Sequence, residues 1–152
     1  MEKFIKDFND LTDEPTKIML QKVTEHKIKF DRYKKKLILC TWSSLFIFLL
    51  LFAYMNYFII EPYSTNAEKM FVAIVHDSTL FGLFFLLLFL GGTGSYLKKK
   101  KDKAEKEYHD LRIEIIQKSP LQWKYPFGWD ERSHVFRTMK NEKDINLYHE
   151  SK

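Results

Sequence analysis

The chain has 152 residues, 45% of them hydrophobic and 30% charged, with a formal net charge of +5. Its single cysteine, Cys40, excludes an intramolecular disulfide and a paired-cysteine zinc site. The basic residues that give the chain its charge cluster against two uncharged blocks, so membrane topology accounts for them and a nucleic-acid partner is not expected.

Residues 1–36 read as a cytoplasmic N-terminal helix. Thr12 or Asp13 can cap it, and Pro15 is tolerated in its first turn. Met19, Val23, His26, Phe30, Tyr33 and Leu37 follow a 4-3-4-3-4 spacing, a heptad seam. Residues 37–60 carry no charge. At 1.5 Å per residue they reach ~36 Å, enough to cross a ~30 Å hydrocarbon core with tilt. This is the first transmembrane helix, and the long charged stretch before it rules out a cleavable signal peptide. It is expected to stop at Glu61-Pro62, because proline disfavours helix in the residue before it.

Residues 61–77 read as a short outer loop and rim. Residues 78–97 form the second transmembrane helix, with a start near Met70 as the alternative. The first start puts His76 and Asp77 at the outer interface, where a carboxylate avoids the several kcal/mol that lipid would cost it. Orientation follows from charge. Residues 22–36 carry seven Lys or Arg and residues 98–112 carry seven more, whereas 61–77 carry only Lys69. The positive-inside rule places both termini in the cytoplasm of a multi-pass cell-membrane protein.

Residues 98–118 continue as a cytoplasmic helix ending at Ser119-Pro120. Leu97, Lys101, Ala104, Tyr108, Leu111 and Ile115 repeat the 4-3-4-3-4 spacing, with Lys101 the poor fit. The two seams are expected to pair as an antiparallel coiled coil, Leu37 against Leu97, Cys40 against Gly94 and Tyr54 against Leu80, with the Tyr33 ring beneath Lys101. Packing on other chains is the alternative. Residues 119–152 form an aromatic loop, a short helix begun by Asp130 and holding Val135, Phe136 and Met139, and a polar tail that docks or frays. Trp123, Tyr125, Phe127 and Trp129 either fold back as a satellite core or form an exposed anchor for a partner.

No catalytic constellation stands out, and a non-enzymatic protein without cofactor or metal is expected. LGGTGSY has the glycines of a phosphate loop but lacks its Lys-Ser/Thr ending and follows a membrane span. Cys40 reads as a small packing residue. His109-Asp110 and the pair Asp130 and His134 have spacings that polar helices produce by chance. His76 and Asp77, with Asn56 at comparable depth, form a candidate polar rim group, either closing the hairpin or relaying protons.

The stretches TDEPTKIML, KKKKDKAEKEYHDLR and HVFRTMKNEKDINLYHESK, with the hairpin between the first two, resemble the YpbF-like family of small two-span membrane proteins of Bacillus-type bacteria. That resemblance spans nearly the whole chain. It implies a bacterial cell membrane and carries no activity, ligand or catalytic residue. A looser similarity is to two-span bacterial defence effectors that oligomerise into pores. The expected architecture is an all-α transmembrane hairpin with a cytoplasmic coiled-coil stalk and an aromatic tail. The expected function is an interaction or scaffolding module at the inner face of the membrane. The alternative is an oligomeric pore or ion and proton pathway built from several copies. Expected partners are anionic headgroups at Lys34–Lys36 and Lys98–Lys101 and a protein that the sequence does not name.

Overall fold

A computed structural model describes residues 2–8, 12–124 and 128–148. Among these every regular element is helical: α1 (Lys3–Lys6), α2 (Glu14–Tyr54), a π-helical segment (Met55–Ile60), α3 (Glu61–Tyr63), α4 (Ala67–His76), α5 (Ser78–Gln122) and α6 (Trp129–Lys143). The chain divides into two compact units, Met1–Tyr33 with Lys100–Lys152, and Lys34–Lys99. Both α2 and α5 contribute to each unit.

In the first unit α2 begins at its expected cap. The Asp13 carboxylate accepts a hydrogen bond from the Thr16 N–H at 3.2 Å, satisfying one of the donors that a helix start leaves unpaired. α2 and α5 run antiparallel here. The Gln122 amide reaches Met19 Sδ at 3.5 Å, and His26 Nδ1 lies 3.3 Å from Glu107 Oε2. Nearer the other end of the pair, Phe30 stacks on Tyr108 with ring centroids 6.2 Å apart. The seam positions Val23 and Phe30 on α2 and Ala104, Tyr108 and Ile115 on α5 are buried, while Lys22, Glu25 and Lys29 stay exposed. Lys27 Nζ sits 5.6 Å from both the Phe30 and the Tyr108 ring centres. Burial pushes the Tyr108 hydroxyl above its ordinary pKa, because the phenolate would lose its hydration. Lys101 is turned over Phe30, at 5.7 Å, rather than over Tyr33. Glu105, one turn along, holds its ammonium at 2.7 Å.

The remaining elements of this unit close a core over that pair. Val135, Phe136 and Met139 share one face of α6 and are at most 1% exposed, as an i, i+1, i+4 apolar pattern requires. Trp123 meets Phe136 edge-on at 5.9 Å. Residues 1–36, expected as one helix, divide into the short α1 and the start of α2; Ile5 of α1 and Phe8 just after it join the same cluster. The tail docks. Asp144 adopts a left-handed conformation, φ 54°, and its N–H closes α6 by donating to the Lys140 carbonyl at 3.0 Å. The turn sends Ile145 and Leu147 into the core, both fully buried. Each large apolar side chain so buried contributes ~1.5–3 kcal/mol.

Proline ends neither long helix where the sequence suggested. α5 continues through Pro120 to Gln122. Pro120 has no N–H for the Ile116 carbonyl, and the Ser119 hydroxyl donates to that carbonyl instead, at 2.7 Å. At the other site the chain stays helical through Pro62 to Tyr63. The preceding Met55–Ile60 segment widens to π geometry, in which the Glu61 N–H reaches back to Asn56. That wider turn relieves the clash of a proline ring with the carbonyl four residues earlier.

In the second unit the segment 61–77, expected as a loop, is mostly helical. Asn66 caps α4 by accepting from the Lys69 N–H at 3.1 Å. An Asn three residues ahead of the first paired N–H is the local signal for that start. The chain leaves helical geometry again at Asp77, φ −86° and ψ 99°, and α5 starts at Ser78. The two long helices, counted as Glu14–Tyr63 and Ser78–Gln122, are long and apolar enough to cross a membrane.

Candidate functional site

Asp77 uses both carboxylate oxygens. Oδ1 accepts from the Thr79 N–H at 2.8 Å and the Leu80 N–H at 3.1 Å, capping α5. Oδ2 accepts from the Tyr54 hydroxyl at 2.8 Å. One side chain therefore caps a helix start, where the orphan N–H groups and the dipole favour an anion, and ties that start to α2. Its neighbour His76 ends α4, is exposed, and lines an open cleft of about 440 Å³ with Tyr63, Asn66 and Lys69. Asn56 turns to its own helix and donates to the Phe52 carbonyl at 2.8 Å. The expected trio of His76, Asp77 and Asn56 is thus not joined by hydrogen bonds. The partner of Asp77 is Tyr54, which sequence reasoning had set against Leu80, one turn further along α5.

Cys40 packs against α5, with its Sγ 3.5 Å from the Leu90 carbonyl oxygen. A methyl group on Gly94 would sit 3.8 Å from that sulfur, an ordinary contact, so the approach does not demand glycine. Beside them runs a groove of about 500 Å³ lined by residues such as Ser44, Phe48, Leu87 and Gly91. Lys34, Lys35, Lys36, Lys98 and Lys99 are exposed. Lys101, grouped with them on the sequence, is engaged by Glu105 and by Asp102 at 3.4 Å.

The aromatic run divides. Trp123 is 1% exposed, and its indole N–H donates to the Thr12 hydroxyl at 3.3 Å. It belongs to the core and is not an exposed anchor. Trp129 is 47% exposed, with the Arg132 guanidinium 5.3 Å from its ring centre. Tyr125 and Phe127 lie outside the described residues. Leu121, which the sequence reading passed over, is 76% exposed. Among the described residues no three metal-capable side chains come together. His134, one turn after Asp130 on α6, packs edge-on to the Phe8 ring at 6.2 Å.

No solved structure matches the chain. It is 39% identical to the protein titled "Uncharacterized protein YpbF" of Bacillus subtilis (strain 168), over 154 aligned residues that cover the whole of both chains. Residues 19–150 match the family described as protein of unknown function, DUF2663. An all-helical chain with two long apolar helices, similar to YpbF from end to end, thus belongs to the DUF2663 family.

Proposed function

We propose that this protein is a non-enzymatic membrane-anchored interaction module. In this reading unit Lys34–Lys99 is a two-span transmembrane hairpin, both termini are cytoplasmic, and the other unit presents a protein-binding surface at the inner face. The observation that carries it is the apolar surface of the hairpin unit. Leu39, Phe46, Phe52, Phe85 and Phe89 are each more than 60% exposed. Water would make such a surface an aggregation site, and lipid is the solvent that suits it.

The antiparallel coiled-coil stalk belongs to the same reading. It is supported by the 4-3-4-3-4 spacing on both helices and by the Phe30–Tyr108 and His26–Glu107 contacts. The binding surface is assigned to Leu121 and Trp129, large apolar side chains left exposed on a unit that has its own core.

Two measurements test the reading. A reporter fused after Lys152 should be active only in the cytoplasm; activity only outside would reverse the topology. Partners crosslinked to the full chain in native membranes should be lost in Leu121→Ser/Trp129→Ala with the chain still folded. An unchanged set would remove the binding role. Conductance by the full chain in liposomes, lost in His76→Ala, would favour the oligomeric pore instead.

A further inference from the structure

We propose that the groove between the two apolar helices holds one acyl chain of an anionic phospholipid, whose phosphate is held by Lys36 and Lys98. The proposal rests on the membrane-hairpin reading and gives that hairpin a specific lipid partner.

The groove of about 500 Å³ follows α2 from Cys40 to Phe48 and α5 from Gly94 back to Leu87. Both walls lie within unit Lys34–Lys99. Missing side chains keep it open: a Cβ on Gly91 would meet nothing within 4 Å. On α2 the lining recurs at Cys40, Ser44 and Phe48, and on α5 at Leu87, Leu90, Gly91 and Gly94. One more helical step along each face reaches Lys36, four residues before Cys40, and Lys98, four residues after Gly94. Four residues rise about 6 Å, and residues so spaced share a helix face. An apolar slot therefore has a cation from each wall at the same end.

Those cations are not neutralised by any of the described residues. Lys34, Lys35, Lys36, Lys98 and Lys99 are exposed and make no ion pair among the described residues. Lysines further along α5 behave differently: Lys101 is held by Glu105 at 2.7 Å and Lys118 by Glu114 at 2.6 Å. An apolar slot ending in unpaired cations is complementary to an amphiphile with an anionic head. A second copy of the hairpin fits less well. Packed in the same orientation, it would bring its own lysines to the same level and set like charges together.

The test uses the full chain in mild detergent, exchanged with phosphatidylglycerol or phosphatidylcholine and read by native mass spectrometry. One phosphatidylglycerol should be retained in preference to phosphatidylcholine. Lys36→Ala and Lys98→Ala should each lower that preference about fivefold, the weight of one cation at an anionic surface. Gly91→Leu keeps every lysine and projects into open space, and it should abolish retention. Equal retention of both lipids overturns the proposal, as does undiminished phosphatidylglycerol retention in Gly91→Leu or a lipid-free dimer. Vesicle flotation separates the two levels of failure. A chain that floats with vesicles yet shows no lipid preference defeats the site alone. A chain that does not float defeats the hairpin reading and the site together.

Discussion

The two units use the same two helices and solve opposite problems. In Met1–Tyr33 with Lys100–Lys152, α2 and α5 turn Leu20, Val23, Tyr108 and Ile115 into one core shared with α1, α6 and the tail. In Lys34–Lys99 many large apolar side chains are exposed, and Ile59 is the one buried hydrophobic residue among the described residues. The contrast shows that helix length and hydrophobicity do not by themselves say where a side chain goes. A helix buries a stripe when other elements of its own chain cover that stripe. A helix can expose apolar residues all round where the solvent is apolar; in Lys34–Lys99 Cys40 packs on α5 with its sulfur 3.5 Å from the Leu90 carbonyl oxygen.

The largest break in this comparison comes from the same truncation made in both units. Phe136→Ala, in the core, should cost ~3–5 kcal/mol. Phe89→Ala, 70% exposed in the hairpin unit, should cost less than ~0.5 kcal/mol in a bilayer. Denaturant titration of the full chain in lipid nanodiscs, followed through the buried Trp123, gives both values. Equal costs would mean that the hairpin unit has a core of its own kind.

The next effect is alkaline. Tyr108 has its pKa raised by burial, so the folded state keeps the neutral phenol while the unfolded chain ionises near 10.0. The unfolded state binds fewer protons in that window. Stability should therefore fall as pH rises from the ordinary tyrosine value toward the raised one, by at most ~1.4 kcal/mol per pH unit. Denaturation from pH 8 to 11 should show this loss in the native chain relative to Tyr108→Phe. Parallel curves would mean that the phenol is solvated.

The smallest effect is local and sharpens the view of the hairpin unit. Asp77→Ala removes both the cap and the tie to Tyr54, whereas Tyr54→Phe removes only the tie. Amide exchange at Thr79 and Leu80 should quicken more in Asp77→Ala than in Tyr54→Phe, and the core amides around Phe136 should be unaffected in both. Equal exchange in the two variants would assign the local order to the tie alone.

The sequence by itself determined the all-helical class, the two apolar blocks and the family, because apolar runs, heptad spacing and long shared stretches are written in residue order. It also narrowed the α2 cap to Thr12 or Asp13 and marked the buried face of α6, since caps and i, i+1, i+4 patterns are local; the structure selects Asp13. Tertiary structure decided the rest. Trp123, Tyr125, Phe127 and Trp129 read alike along the chain, yet Trp123 is core and Trp129 is exposed, because Thr12 and Phe136, distant in sequence, come to the Trp123 ring. Pro62 and Pro120 read as helix ends, but a π turn and a serine hydroxyl accommodate them. Asp77 found Tyr54, 23 residues away in sequence. A cap three residues off is fixed by local geometry, whereas a partner on another helix depends on the crossing and rotation of both, which residue spacing does not encode.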